Sequence, residues 1–228
     1  MWQRYHDKCR REASIIDTLP SKLEKALHWS PTINKEQKEV IRYILWNMVY
    51  VEGGTANLGD NNNYPVDVAS FFINRYEVSQ DEWYVIMGEN PSNQHRRNYP
   101  VDQVNWFNAQ RFTQKLSQLS GLPFRLPFEA EWEYAARGGL KTKNFIYAGS
   151  NNAEQVAWFR GKYYNTYVSK ETGTKKPNEL GLYDMSGNVY EWCMDWYDRK
   201  VPFTGNIAPV ISEKETHKLL GGGSYYTF

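Results

Sequence analysis

Cysteine is scarce. Cys9 and Cys193 are the only two in 228 residues, which is too few for a disulfide framework or a cysteine-rich zinc site. Each reads as a lone reduced thiol. Histidine is also thin: His6, His28, His95 and His217 stand singly, so there is no H-E-x-x-H zinc helix. No run of about 18 apolar residues occurs, and no membrane span is expected. The chain lacks an excess of either charge. Lys and Arg number 27 against 26 Asp and Glu, for a net charge of +1, so there is no electrostatic footprint for nucleic acid or an anionic membrane surface. No G-x-G-x-x-G, P-loop or G-x-S-x-G pattern is found. Asp60-Asn61-Asn62 opens like a calcium loop, but Pro65 stands where glycine is required.

Aromatic residues are plentiful. There are 9 Trp, 17 Tyr and 10 Phe beside 16 Gly, and hydrophobic residues make up 41%. Rings bury large areas and carry polar handles that need partners. With a mean hydropathy of −0.72, the aliphatic core must be modest. The composition implies a globular core held by rings and irregular backbone, with few long helices.

Residues 1–46 differ from the rest. Leu19, Leu23, Ala26 and Leu27 share one helical face, and Val40, Ile41, Ile44 and Leu45 share another. Asn34 with Gln37 forms a capping pair. Two short helices are predicted, as an appendage or packed on the main domain. From Met48 the texture turns to strands: Met48–Val51, then Val68–Tyr76. Ser79 and Glu82 have capping-box spacing, Asn105 caps a helix striped by Ala109, Phe112, Leu116 and Leu119, and Gly121 stops it. A third helix carries Glu129, Trp132, Ala135 and Ala136. Glu129, Glu131 and Glu133 are two apart and do not share a face, so they read as a solvated first turn. Beyond Gly139 no helical period returns. The long loops there imply a binding role or pinning by metal.

Lys175 to Tyr197 is the richest segment. Asn188 and Glu191 offer oxygens three residues apart, with backbone carbonyls nearby, which suits calcium. The alternative is that Asn188 closes a turn and Glu191 forms a cap or ion pair.

Several blocks occur in one order: Met48–Gly54, Tyr76–Ser79, Tyr99–Trp106, Arg125-Leu126-Pro127 through Gly139, Asn178–Trp192 and Gly222-Gly223-Ser224. Over residues 47–228 the sequence resembles the formylglycine-generating enzyme family, also called the sulfatase-modifying factor domain. The resemblance implies an α+β fold, a loop-rich variant of the C-type lectin fold, with residues 1–46 as a short helical extension. It implies structural calcium at Gly187, Asn188, Val189 and Glu191. Enzymes of the family convert a sulfatase cysteine to formylglycine, using oxygen and a copper ion held by two cysteines. The first copper cysteine lies three positions past the serine of Gly-Gly-Ser, where this chain has Thr227; the second falls beyond Phe228. Copper is therefore not expected, because a hydroxyl is a poor substitute for a thiolate.

The expectation is a non-catalytic member, either a variable protein of a diversity-generating retroelement or a surface or secretion-associated protein. It would bind a protein or small molecule through a loop face containing Trp196, Ser224, Tyr225 and Tyr226. The alternative is the copper-dependent oxidase. Relatives with non-haem iron need a His cluster that His28 alone does not supply. The family's closing strands are expected to be missing, which would leave a sheet edge as a template for association. The charged start, Met1–Arg11, shows no secretory signal, so the expected location is a bacterial cytoplasm, or export by a route not visible in the sequence.

Overall fold

Three side-chain caps start the main helices. In the computed structural model, which describes residues 25–59, 64–160, 168–196 and 218–224, the Asn34 side chain accepts from the Gln37 amide at 2.9 Å, and Gln37 reaches back to the Asn34 amide. This opens α1, Lys35–Trp46. Ser79 and Glu82 do the same for α2, Gln80–Met87. Asn105 caps α3, Trp106–Ser120, by accepting from Asn108. Gly88 and Gly121 end α2 and α3 in the left-handed region, where only glycine avoids a steric cost. Val40, Ile41, Ile44 and Leu45 of α1 pack with Trp83 and Ile86 of α2 and with Phe112, Leu116 and Leu119 of α3. The Trp83 and Phe112 rings stack 5.0 Å apart. Helix α1 therefore shares a core with the domain. The first helix expected from the sequence lies largely outside the described residues.

A second core is built on strands. β1 (Met48–Val51) pairs antiparallel with β4 (Phe71–Asn74), and β2 (Gly54–Leu58) with β3 (Tyr64–Val68). The sequence suggested one strand over Val68–Tyr76. Instead the chain leaves β3 at Val68, turns at Ala69-Ser70 and begins β4. Ser70 fixes that turn by accepting the Gly53 amide. Val51, Leu58, Val66 and Val68 pack against Trp132, Tyr134 and Ala135 of α4, Glu129–Ala136. A short helix α5, Ala153–Val156, follows, in a region where no helix was expected. The last pair is β5, Glu191–Trp196, with β6, Lys218–Gly221.

The first turn of α4 is not solvated as a whole. Glu131 is buried. It accepts two hydrogen bonds from Arg125 at 2.7 Å and one from the Phe128 amide. Glu133 accepts from the Gly59 amide and pairs with Arg137. These acids hold loops that are remote in sequence.

The loops are held by side chains. Indole N–H groups of Trp106 and Trp192 donate to the carbonyls of Cys193 and Val104. Buried Asn178 donates to the carbonyls of Ala135 and Ala136 at the end of α4 and accepts from the amides of Leu180 and Leu182. Removing it orphans several buried backbone groups, and each such group costs about 1–3 kcal/mol. Asn178→Ala is expected to destabilise the chain by about 2–4 kcal/mol in urea unfolding. A change under about 0.5 kcal/mol, the size of a surface substitution, would contradict the role given to this side chain.

Candidate functional site

Gly187 and Asn188 both adopt positive φ, +99° and +59°. A Cβ on Gly187 would lie 2.5 Å from the Trp158 carbonyl oxygen, so glycine is required. The turn aims Asn188 inward. Its amide donates to the Trp158 carbonyl at 2.8 Å. Its Oδ1 accepts from the Lys170 amide at 2.8 Å, and its Nδ2 donates to Glu77 Oε2 at 2.7 Å and to the Lys170 carbonyl at 3.2 Å. The Val189 amide donates to Glu77 Oε1. Asn188 is fully buried, and it joins three segments of chain.

Around it lie three desolvated carboxylates, with Lys175 near one of them. Burial, with Asp184 and Glu191 nearby, pushes Glu77 well above the usual carboxylate range. Burial also raises Asp184 to about 6, although the Gly173 amide donates to it and Lys175 lies near. The other Asp184 oxygen is buried and has no hydrogen-bond partner among the described residues. Burial raises Glu191 to about 7. The Trp132 indole favours its charged form without reaching good hydrogen-bond geometry, and Asp184 opposes it.

The residues expected at calcium are thus brought together: Gly187, Asn188 and Val189 form the turn, and Glu191 begins β5. The Asn188 amide is already committed to protein partners. A cation here would rest on Glu191 and main-chain carbonyls. That is an all-oxygen set, suited to a hard ion and unsuited to copper(I). Among the described residues, no group of three or more His, Cys, Asp or Glu is placed to hold a metal. Cys193 is buried, and desolvation drives its thiol far up; Cys9 lies outside the described residues.

The two described residues expected on the ligand face, Trp196 and Ser224, are not brought together. Trp196 pairs with Lys218 at one end of the β5–β6 ribbon, while Glu191 pairs with Gly221 at the other. Ser224 lies past that second end and is buried. Strand rise puts the two ends about 17 Å apart. The Trp196 ring lies 6.3 Å from that of Trp106. Tyr225 and Tyr226 lie outside the described residues.

The structure offers a different constellation beside the glycines. A cleft of about 450 Å³ is lined by Gly222, Gly223, Tyr190, Phe145, Ile146 and Arg137, among others. Ile146 is 76% exposed and Tyr190 41%. The floor is rigid, because Glu133 fixes Arg137 and Gly59. Phe145 and Ile146 went unnoticed in the sequence. The available signal was an apolar pair directly after Asn144, a residue type that tolerates left-handed backbone, in an otherwise polar loop.

Raised acids make stability depend on pH. The unfolded chain releases these protons near pH 4, whereas the fold holds them on Asp184 and Glu191 to about 6 and about 7. Their contribution is full below the unfolded value and is lost as pH rises through the folded ones. In chelator, the melting temperature of the wild-type chain is expected to fall relative to that of Glu191→Gln between pH 5 and 8. Parallel profiles would contradict the burial of Glu191.

Known proteins resemble this chain in sequence and fold. A family profile, "Sulfatase-modifying factor enzyme 1-like domain", matches residues 35–227. Chaperone protein LppX of Paenibacillus barcinonensis is 34% identical over 204 residues, covering 66% of this chain and 72% of its own length. The formylglycine-generating enzyme of Thermomonospora curvata is 32% identical over 157 residues, 63% of this chain, and the match spans half of that enzyme. The structure of Treponema denticola variable protein 1 superposes with a TM-score of 0.65 at 29% identity, covering 79% of this chain and 84% of that one. The fold is the α+β, C-type-lectin-like one, and the chain belongs to the formylglycine-generating enzyme (sulfatase-modifying factor) family.

Proposed function

We propose that this chain is a non-catalytic member of its family, which uses the scaffold to present a loop-built binding face for a protein or small-molecule ligand. The observation that carries the reading is the cleft beside Gly222 and Gly223. It sets exposed Tyr190, Phe145 and Ile146 around a fixed Arg137–Glu133 pair. Apolar walls with a few placed polar groups are the ordinary make-up of a ligand site. Aromatic and aliphatic loop side chains on a rigid floor give contact area at low entropic cost. The similarity to a variable protein supports the same use.

The oxidase alternative needs two thiolates. Thr227 occupies the position where the family resemblance puts the first of them. Cys193 is buried with a thiol that resists ionisation, and a protonated, enclosed sulfur is a poor ligand. On this reading structural calcium binds through Glu191, with the main-chain carbonyl oxygens of Gly187, Asn188 and Val189 as further donors. Calcium would hold the turn that anchors Asn188.

Three outcomes are expected. Anaerobic titration with copper(I) against a chromophoric chelator should load no stoichiometric copper. A cysteine-bearing sulfatase peptide incubated with the copper-treated chain in oxygen should yield no aldehyde by mass spectrometry. Formation of aldehyde would replace this reading with the oxidase. Millimolar calcium at pH 8 should raise the melting temperature of the wild-type chain and leave Glu191→Gln unmoved. An equal response in both would remove Glu191 from the calcium site.

A further inference from the structure

The cleft beside Gly222 and Gly223 holds two opposite charges that do not meet. Among the described residues that line it, Arg137 is the one base, and Glu133 and Glu179 are the acids. Glu133 is already spent. Its Oε1 takes the Nε and Nη2 groups of Arg137 at 2.7 and 2.5 Å, and both of its oxygens accept from the Gly59 amide. That contact uses one edge of the guanidinium. Nη1 makes no hydrogen bond among the described residues, and the Arg137 side chain is 43% exposed. A guanidinium carries its N–H donors in a fixed planar fork. A second edge, between Nη1 and Nη2, is therefore left to grip a carboxylate.

Glu179 is the counterpart. Its Oε1 accepts from the Lys143 amide at 3.0 Å, which fixes the side chain. Its Oε2 has no partner among the described residues. A Cβ on Gly138 would lie 3.0 Å from that oxygen, so the carboxylate sits against the residue that follows Arg137. The two side chains still form no ion pair, and a gap separates their charges. The other walls are mostly apolar, with Phe145, Ile146, Met185 and Tyr190 among them. The loop that carries Phe145 and Ile146 is pinned. The Ile146 amide donates to Asn151 Oδ1, Tyr147 and Ser150 exchange main-chain hydrogen bonds, and the Ala148 amide donates to Ser186. The walls thus stand in place before a ligand arrives, which lowers the entropic cost of binding.

We infer, on the strength of this cleft's being a binding site as proposed above, that its ligand is a small zwitterion of the amino-acid type. The ligand carboxylate forks onto the open edge of Arg137, its ammonium donates to Glu179 Oε2, and its apolar side chain lies against Phe145 and Ile146. A lone anion would leave Glu179 unmet and add a third negative charge beside Glu133 and Glu179. A lone cation would leave the open edge of Arg137 unmet and stand near a like charge. A ligand with both signs meets both groups at once. The volume of about 450 Å³ falls within the range of small-molecule sites. A free amino acid and a short peptide with open ends present the same chemistry to it.

The test uses the full chain, calorimetry and tryptophan fluorescence, and two probes, phenylalanine and the dipeptide phenylalanyl-leucine. Saturable one-to-one binding of at least one probe is expected, and the tighter of the two tells a free amino acid from a peptide as the source. Blocking either end of that probe, by N-acetylation or by amidation, should weaken binding about tenfold, the worth of one hydrogen bond to a charged group. On the protein, Glu179→Gln should remove most of the effect of N-acetylation, and Arg137→Gln most of the effect of amidation. Should either variant fail to fold, the blocked probes on the wild-type chain decide. The double variant Phe145→Ser, Ile146→Ser, at two exposed positions, should also weaken binding. No binding of either probe at millimolar concentration would overturn the ligand class. It would leave the binding reading to its own tests, copper loading and aldehyde formation. Equal binding of the probe blocked at both ends would overturn the pairing of charges. Unchanged binding to the double variant would overturn the placement in this cleft.

Discussion

The hydrogen bond between Asn188 and Glu77 joins parts of the chain that are 111 residues apart. One amide and one carboxylate tie the segment after β4 to the turn before β5, and the Lys170 main chain joins through the same amide. Both side chains, Asn188 and Glu77, are buried, where hydrogen bonds are strong and an unmet partner is costly. A fold with little regular structure depends on such centres, because its loops cannot satisfy their own backbone groups. Asn178 plays a similar part at the end of α4, and the two indoles of Trp106 and Trp192 do so along β5.

The carboxylates around Asn188 show how the site depends on its scaffold. Burial raises Glu77, Asp184 and Glu191, and Asp184 adds to the rise of the other two. No single position in the sequence announces this. Each acid looks ordinary among its neighbours, and only long-range packing removes its water. The same holds for Glu131 and Glu133, which looked like a solvated helix start and are in fact fasteners for Arg125 and the Gly59 loop.

Local chemistry was the legible part. The caps at Asn34, Ser79 and Asn105 and the stops at Gly88 and Gly121 follow rules that act within four residues. The strand at Met48–Val51 showed as an apolar run. β2 and β3 did not, because Thr55, Asn57, Pro65 and Asp67 interrupt any such run and half of each strand faces outward. Of the candidate site, the turn at Gly187 and Asn188 could be read from its residue types. The separation of Trp196 from Ser224 could not, since it depends on the ribbon's register. The cleft at Phe145 and Ile146 is assembled from four distant stretches, and no periodicity reports it.

Gly221 lies flat against the Trp132 indole, and a Cβ there would sit 2.5 Å from a ring atom. The ribbon is locked to α4 at this point, and the backbone cannot take on any side chain without displacing a core tryptophan. On the cleft beside the neighbouring Gly222, Ile146 is 76% exposed, and its replacement disturbs little packing. The molecule therefore carries a sharp frontier between positions closed to change and positions open to it. Diversification of this surface, whether natural or by design, would have to halt at that glycine.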